Sequence, residues 1–456
     1  MSKDSASIIF LTVHYFSHIV QLNILPEESK QLFLFSQLSI MTSSLTTILT
    51  SIYQTDVIYY LFGSCLICFF FSNLKTYLQK CDWSKLPKYN QSNIFLLCKF
   101  ILLSLYGHFD ATMLTPVFEK NNEIGFIHFN IFFMKTIMIF DADHVKLILN
   151  NPKIVDRSPI VYGLEGVVNK SITFSNGNEW AKKRKLFTPI FRMKQLDDFI
   201  PEIERHSRNT LEKLKSCKSD VSFSVNETIM SIAFETIFGF QKSLHIEEFP
   251  VIDKICEFVN QMSWKRTVNV FLRSNLIFDY FSNGKKLKEY CNVLKEISEK
   301  AYTTLSKTIC WCLYEVGKNP EILAKIQDEL DSIFEDVNSP IRKEDLQKME
   351  YLECVINETM RMYPAVPITA RLSKEEICVG NQIFPSNCNF LISIYHLQRN
   401  SRYFPNPNKF DPLRFLPSNS ANRHPYCFIP FSAGRRNCIG KFYKHLSFEI
   451  FLLSIR

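Results

Sequence analysis

The ten residues from Phe431 to Gly440 constrain this chain more than any other stretch. They read Phe-Ser-Ala-Gly-Arg-Arg-Asn-Cys-Ile-Gly and precede a run typical of a helix, Phe442 to Ser454. Cys438 is therefore expected just before a helix N-terminus, where the helix dipole and free backbone N–H groups favour thiolate over thiol. Gly434 and Gly440 lack a Cβ, which permits tight turns and close approach of a flat cofactor. The segment predicts a cysteine thiolate that binds a metal.

This segment resembles the haem-binding loop of the cytochrome P-450 family, whose pattern is Phe-x-x-Gly-x-Arg-x-Cys-x-Gly. All the fixed positions match: Phe431, Gly434, Arg436, Cys438 and Gly440. The resemblance implies that Cys438 is the metal ligand and catalytic thiolate, the axial ligand of haem b iron. It also implies that Phe431 and Gly440 line the haem and that Arg436 pairs with a haem propionate. The alternative is an inert buried cysteine between two glycines.

Size and composition allow one large domain or two ordinary ones, with an anchor in addition. The chain has 456 residues, of which 46% are hydrophobic, and a net charge of +8. This charge is mild for the length and does not indicate a nucleic-acid partner. The 14 cysteines are scattered singly along the chain. That distribution favours free thiols in a reducing compartment over a disulfide framework.

An uncharged apolar run, Val57 to Leu74, is just long enough to span a bilayer as a helix. Lysines follow it in the basic linker 75–92, so the positive-inside bias places the C-terminal bulk in the cytosol. The chain is therefore predicted to contact membrane lipid at the endoplasmic reticulum, with its haem domain on the cytosolic face. A buried core helix is the alternative. Residues 1–56 carry no motif that assigns them.

A globular pattern begins at about residue 93. Ile124 to Phe133 and Thr136 to Phe140 are typical of two paired strands, and a short helix is expected from Asp143 through Leu149. From Phe191 to Lys307 the pattern is mostly helical. The resemblance covers 93–456 and implies a mainly α fold with small β-sheets, an incomplete cytochrome P-450 fold.

Trp180 and Arg184 are spaced to share one face of a helix. An indole N–H beside a guanidinium makes a good carboxylate clamp. The stretch resembles the family's Trp-x-x-x-Arg helix, which implies that both side chains hold a haem propionate. Pro367 to Leu372 resembles the strand whose arginine, here Arg371, reaches the other propionate. The alternative for the first stretch is an ordinary basic amphipathic helix.

The stretch from Thr308 to Glu321 resembles the end of the family's long central helix and the start of the next one. With Trp311 setting the register, Thr304 takes the place of the catalytic threonine that helps to activate O2. Thr303, however, stands where an acid is expected. The span from Trp180 to Trp311 is also shorter than the family needs. This indicates a deletion before Trp311 and leaves open that the Thr304 match is accidental.

A helix is predicted from Lys348 until Pro364 stops it. Within it Glu358 and Arg361 are spaced to pair. The stretch around Arg414 resembles the family's Pro-x-Arg-Phe segment, so the resemblance implies a buried charge network of Glu358, Arg361 and Arg414. The alternative is a surface ion pair that contributes little.

Several positions depart from the family. Arg435 replaces the usual proline of the haem loop, and Tyr443 and Lys444 stand where small or apolar residues usually face the haem. Lys300 occupies the place of the glutamate that binds haem covalently in some family 4 members, so no covalent link is predicted. The chain ends at Arg456, before the family's terminal strands. These departures weaken the case for activity more than the case for haem binding.

Three further stretches narrow the resemblance to family 4, the fatty-acid-type hydroxylases: Tyr395–Asn400, Tyr403–Pro407 and Arg423–Gly434. This implies a monooxygenase that takes O2, a lipophilic substrate and electrons from an NADPH-cytochrome reductase. A basic face that would dock the reductase is formed by Lys182, Lys183, Lys185, Arg435, Lys441 and Lys444. The alternatives are a catalytically impaired pseudoenzyme or incomplete gene product, and a membrane-anchored protein that binds without catalysis.

Overall fold

The computed structural model describes residues 115–131, 134–158, 172–173, 175–191, 197–216, 300–334, 336, 339, 341–379 and 382–454. The predicted extension 1–56, anchor 57–74 and linker 75–92 lie outside these residues. Among the helices that are described, none combines the length and the apolar character needed to cross a membrane.

Helices account for most of the described secondary structure. The α-helices are α1 Thr115–Lys120, α2 Ala142–Asn150, α3 Gly177–Phe187, α4 Ile200–Ser216, α5 Lys300–Lys318, α6 Pro320–Ile333, α7 Lys343–Leu346, α8 Glu350–Met362, α9 Ile394–Leu397, α10 Pro417–Ser420 and α11 Lys441–Ser454. Short 3-10 helices cover Thr188–Phe191, Asp197–Phe199, Pro412–Phe415 and Gly434–Arg436. The strands are β1 Phe126–Ile131, β2 Met134–Ile139, β3 Ile368–Ser373, β4 Ile377–Val379, β5 Gln382–Phe384 and β6 Cys388–Ser393. The predicted fold class, mainly α with small sheets, is confirmed.

The larger sheet has the strand order β1-β2-β6-β3. β1 and β2 form an antiparallel pair with Phe126 opposite Ile139, which confirms the two paired strands predicted from the sequence. β6 runs parallel to β2 and antiparallel to β3. Every residue of β6 is buried, as expected for an inner strand covered on both faces. β4 and β5 form a separate antiparallel pair.

The helix predicted from Asp143 begins at Ala142, because Asp141 caps it by accepting hydrogen bonds from the N–H groups of Asp143 and His144. Its buried face, which includes Val145 and Ile148, joins a hydrophobic cluster with the strands. The same cluster contains Ile429, just before the Phe431–Gly440 loop. The sheet and α2 thus support the base of that loop.

The C-terminal helices pack around this loop. The predicted end of the central helix and start of the next are found as α5 and α6, with Pro320 at the first position of α6, where its missing N–H costs nothing. The helix predicted from Lys348 starts at Glu350 and ends at Met362. α11 packs against α4, α5 and α8. Every cysteine in the described part of the chain is a free thiol.

Candidate functional site

The loop that contains Cys438 connects the 3-10 helix Gly434–Arg436 to α11. Its cysteine N–H donates to the carbonyl of Phe431 at 2.9 Å, which closes the loop on itself. α11 begins at Lys441, so Cys438 lies just before a helix N-terminus, as predicted. Cys438 is a free thiol and is half-buried.

Gly434 is the turning point of the loop. It has a φ of +67°, and a Cβ at this position would come within 2.0 Å of the carbonyl oxygen of Leu149 in α2. No other residue type fits both the backbone conformation and this close approach. Gly440 also lies in a turn, but its φ is not positive and a Cβ there would meet only the Phe191 ring, at 3.9 Å, so this turn does not require glycine.

Arg436 is buried, with 4% of its surface exposed, and its guanidinium is held on several sides. It donates to the carbonyls of Val155 and Ser175 and to the side-chain oxygen of Asn176, at 2.9–3.0 Å. Its guanidinium carbon also lies 4.0 Å from the centre of the Trp180 ring, a cation–π arrangement. These contacts fix the arginine of the loop against the start of α3.

Trp180 and Arg184 share α3 but have different partners. Trp180 is buried, and its ring packs on Arg436. Arg184, one turn later, donates to the backbone carbonyl and the side-chain oxygen of Asn437, both at 2.7 Å. Burial lowers the pKa of Arg184, and the neighbouring Cys438 acts in the opposite direction. The sequence suggested one two-residue clamp, whereas each residue contacts the loop by itself.

Arg371 reaches the start of the loop from β3. It is 1% exposed, and its Nη2 donates to the Ser432 hydroxyl at 3.3 Å. Its Nη1 donates to Thr369 and to the carbonyl of Ala370, at 3.2 and 3.0 Å. Guanidiniums from α3 and β3 therefore donate to the same ten-residue segment, at Asn437 and Ser432.

These residues fit a haem. Cys438 lies just before a helix N-terminus, a position suited to a cysteine thiolate that would ligate haem iron. Both hydrogen bonds of Arg184 go to uncharged oxygens, so its positive charge is available to an anion such as a propionate. Gly434 brings loop backbone and α2 closer together than any side chain would allow.

The structure contains the charge network predicted around Glu358, with ion pairs to Arg361 and Arg414. Glu358 and Arg361 are both fully buried and form two hydrogen bonds, of 2.6 and 2.8 Å. Arg414 donates to the same carboxylate at 3.0 Å, and so does the N–H of Asp411, at 2.9 Å. The network fastens α8 to the segment Pro412–Phe415.

Gln398 extends this network to the loop and was not identified from the sequence. Its carbonyl accepts from Arg361 at 3.0 Å, and its side-chain oxygen accepts from the N–H of Ile429 at 3.1 Å. Its side-chain nitrogen donates to the carbonyls of Met360 and Arg361. Gln398 lies in the Tyr395–Asn400 stretch that resembles family 4. A polar residue within that stretch was the sequence feature that could have identified it. Asn437 was likewise missed, although it lies inside the loop.

Thr304 lies near the start of α5 as the structure describes it. It is half-buried, and its carbonyl accepts from the Thr308 hydroxyl at 3.0 Å. The next residues toward the C-terminus that face inward include Leu305 and Ile309, both fully buried. The side chains of 300–303 lie outside the description, so the role of Thr304 in oxygen activation stays a prediction.

A cavity of about 630 Å³ lies beside the loop. It is lined by residues of α7, α8 and α11 and by loop residues that include Phe431, Gly434 and Asn437. Glu449 of α11 faces it. Burial raises the pKa of Glu449 to about 8, and repulsion from the Glu353 carboxylate adds to the effect. The cavity therefore holds a carboxyl group that is protonated near neutral pH.

The predicted basic face is largely exposed. Lys182, Lys185, Arg435 and Lys441 are exposed, whereas Lys183 is half-buried and paired with Glu179. The side chain of Lys444 is not among those described.

A cysteine loop just before a helix N-terminus, arginines of α3 and β3 that donate to this loop, and a mainly helical fold with small sheets are together typical of the class of haem-thiolate proteins. The sequence profile of the cytochrome P450 family matches residues 100–303 and 299–455, so the chain belongs to this family. Proteins of the family bind haem iron through a cysteine thiolate, and the chain is a P450 monooxygenase, an oxidoreductase that uses O2, a lipophilic substrate and a redox partner.

The relatives that match include several with family 4 names. Human cytochrome P450 4V2 is 28% identical over 371 residues, covering 67% of this chain and 71% of the relative. Cytochrome P450 4c3 of Drosophila melanogaster is 28% identical over 377 residues, covering 67% and 70%. Probable cytochrome P450 4ac1 of the same fly is 25% identical over 366 residues, covering 68% and 72%. The resemblance to family 4 drawn from the sequence is confirmed.

Proposed function

We propose that this chain inserts one oxygen atom of O2 into a fatty acid, a hormone-like lipid or a xenobiotic of similar polarity. The electrons come from NADPH through an NADPH-cytochrome reductase. The observation that carries the proposal is the closed loop around Cys438, with guanidiniums from α3 and β3 hydrogen-bonded to it. A cysteine with arginines nearby suits a haem, because the thiolate can ligate the iron and the guanidiniums can pair with the two propionates.

The bound haem supplies the oxygen and redox chemistry. The chain's own residues hold and orient it. Cys438 would ligate the haem iron, and Arg184, Arg371 and Arg436 would hold the propionates. Trp180 keeps the Arg436 guanidinium in place by packing on it.

Proton delivery is assigned to Thr304. Its hydroxyl would pass protons from the central helix toward the bound oxygen. The weak point of this assignment is Thr303, which stands in place of the expected acid. A Thr304→Ala variant should therefore lower product yield per NADPH consumed without changing the absorption of the haem.

The redox partner is proposed to dock on the exposed cations Lys182, Lys185, Arg435 and Lys441. An acidic partner surface would be drawn to this face, and the attraction would weaken as salt screens it. Residues 57–74 are proposed to anchor the chain in the endoplasmic reticulum membrane, with membrane lipid as a further partner.

The second candidate function is a pseudoenzyme that binds haem but does not complete catalysis. The two segments matched by the family profile meet at 299–303, where the sequence indicates missing residues. The match to human cytochrome P450 4V2 spans 371 residues, which is more than 67% of a 456-residue chain can supply. The alignment thus contains residues of the relative that this chain lacks.

One experiment separates the candidates. The full chain is expressed with ample haem, reconstituted with reductase in lipid vesicles, and supplied with NADPH and dodecanoic acid. A monooxygenase gives hydroxylated product in proportion to the NADPH consumed. A pseudoenzyme takes up haem but oxidises NADPH without product, or not at all. Protein that takes up no haem would overturn both candidates and leave a binding protein.

A further inference from the structure

Asn437, the residue before Cys438, joins the loop to α3. Arg184 donates to its backbone carbonyl through Nη1 and to its side-chain oxygen through Nη2, both at 2.7 Å. The N–H of Asn437 donates to the carbonyl of Gly434 at 3.1 Å, so the residue is also held by the loop. One residue thus gives two acceptors to one guanidinium, and its peptide bond leads directly to the sulfur-bearing residue.

The geometry suits the chemistry of arginine. A guanidinium presents parallel N–H donors in a rigid fork, and two acceptors on one partner fix its orientation as a single acceptor cannot. Arg184 is itself well placed, because α3 is anchored one turn earlier by the buried ring of Trp180. The pair therefore connects α3 to the end of the turn that starts at Gly434.

We propose that Asn437 is a positioning residue, which with Arg184 clasps the loop to α3 and thereby sets the orientation and charge environment of the Cys438 sulfur. The inference rests on the proposed function, since it concerns the sulfur as the axial ligand. The clasp and a propionate contact are compatible, because a guanidinium has more N–H donors than these two bonds use.

Two substitutions separate the clasp from a general effect on folding. Asn437→Ala removes the side-chain acceptor and leaves Arg184 with the backbone carbonyl alone. Asn437→Asp keeps the acceptor and adds a negative charge beside the sulfur, which strengthens the clasp but makes the site more electron-rich. Asn408→Ala, at an exposed asparagine in another loop, is the matched control.

The test uses the full haem-loaded chain. One readout is the rate at which the reduced, CO-bound protein converts from the thiolate-shifted spectrum to the thiolate-lost spectrum in dilute guanidinium chloride. The second readout is the midpoint potential of the iron, and the third is hydrogen exchange of the Cys438 amide. Asn437→Ala should speed both conversion and exchange about tenfold, as expected for losing one hydrogen bond to a charged group. Asn437→Asp should keep wild-type rates but lower the potential, and Asn408→Ala should change nothing.

The inference is overturned if Asn437→Ala converts and exchanges at wild-type rates. It is also overturned if Asn437→Asp is as damaging as Asn437→Ala, since the acceptor would then be irrelevant. Wild-type protein without a thiolate-shifted band would instead overturn the proposed function. If the wild-type protein shows the thiolate-shifted band and Asn437→Ala converts and exchanges at wild-type rates, the result contradicts the clasp alone.

Discussion

The guanidinium carbon of Arg436 lies 4.0 Å from the centre of the Trp180 ring. The contact joins the haem loop to α3, two segments far apart in sequence. Trp180 therefore packs against the guanidinium of Arg436, while Arg184, one turn later in the same helix, donates to the carbonyl of Asn437. Of the arginines expected to bind propionates, Arg436 packs on the Trp180 ring and Arg184 donates to the backbone carbonyl of Asn437.

Replacing Trp180 should weaken the support of Arg436. Trp180→Leu is expected to lower the free energy of unfolding by about 2–4 kcal/mol, because it removes buried aromatic volume and the cation–π contact. Trp180→Phe keeps a ring under the guanidinium and should cost less. Urea titration followed by circular dichroism measures both. Equal losses in the two variants would show that the aromatic face does not matter.

Gly434 and Gly177, two of the glycines with positive φ, provide a matched comparison. Gly434→Ala places a Cβ within 2.0 Å of the Leu149 carbonyl, whereas Gly177→Ala at a φ of +56° meets nothing within 4 Å. The first variant should lose haem incorporation. The second should lose only about 1–2 kcal/mol of stability from its backbone conformation. Haem content per protein, measured after expression with ample haem, decides the matter. Normal haem content in Gly434→Ala would contradict the described loop geometry.

Removing the charge of Glu358 should be costly. Glu358→Gln leaves Arg361 and Arg414 without their shared carboxylate in a fully buried setting, so the expected loss is about 3–5 kcal/mol. Glu376→Gln, at an exposed position, serves as the control and should be neutral. Chemical unfolding curves of the haem-free proteins give the comparison. A loss below about 1 kcal/mol would mean that the network is solvated as a surface pair is.

Stability should depend on pH through Glu449. Its folded-state pKa is raised from the ordinary 4.5 to about 8. Between these values the folded chain holds a proton that the unfolded chain releases, so stability falls as pH rises through this window and levels off above it. The fall should be on the order of 3–4 kcal/mol from pH ~5 to pH ~8.

The Glu449→Gln variant isolates that contribution. It should flatten the pH dependence and be more stable than wild type at the alkaline end, because the amide need not ionise. Glu344→Gln, at an exposed site, should keep the wild-type slope. Urea unfolding at several pH values measures all of them. A Glu449→Gln protein with an unchanged slope would show that another group is responsible.

The loop was predictable because the residues that identify it lie close together in the sequence. Residues at fixed short spacings, such as Gly434 and Cys438, identify it without knowledge of the fold. The paired strands β1 and β2 and the helix α8 followed from short-range periodicity in the same way. Their bounds moved by a few residues, since caps such as Asp141 decide where a helix begins.

The partners within the site were not predictable from spacing. Two residues one turn apart share a helix face, but which groups they meet depends on elements far away in sequence. Arg184 meets Asn437 and Trp180 meets Arg436, so the shared face serves two different contacts. Gln398 was missed for the same reason: only the folded chain brings it between Arg361 and Ile429.

The reduced, CO-bound absorption spectrum of the purified haem-loaded chain tests the central claim most directly, with Cys438→Ser as its partner. Wild type should show the thiolate-shifted Soret band, and Cys438→Ser should lose it while keeping the fold seen by circular dichroism. A wild-type protein that is folded but lacks the band, or a Cys438→Ser protein that retains it, would contradict the assignment of Cys438 as the ligand of haem iron.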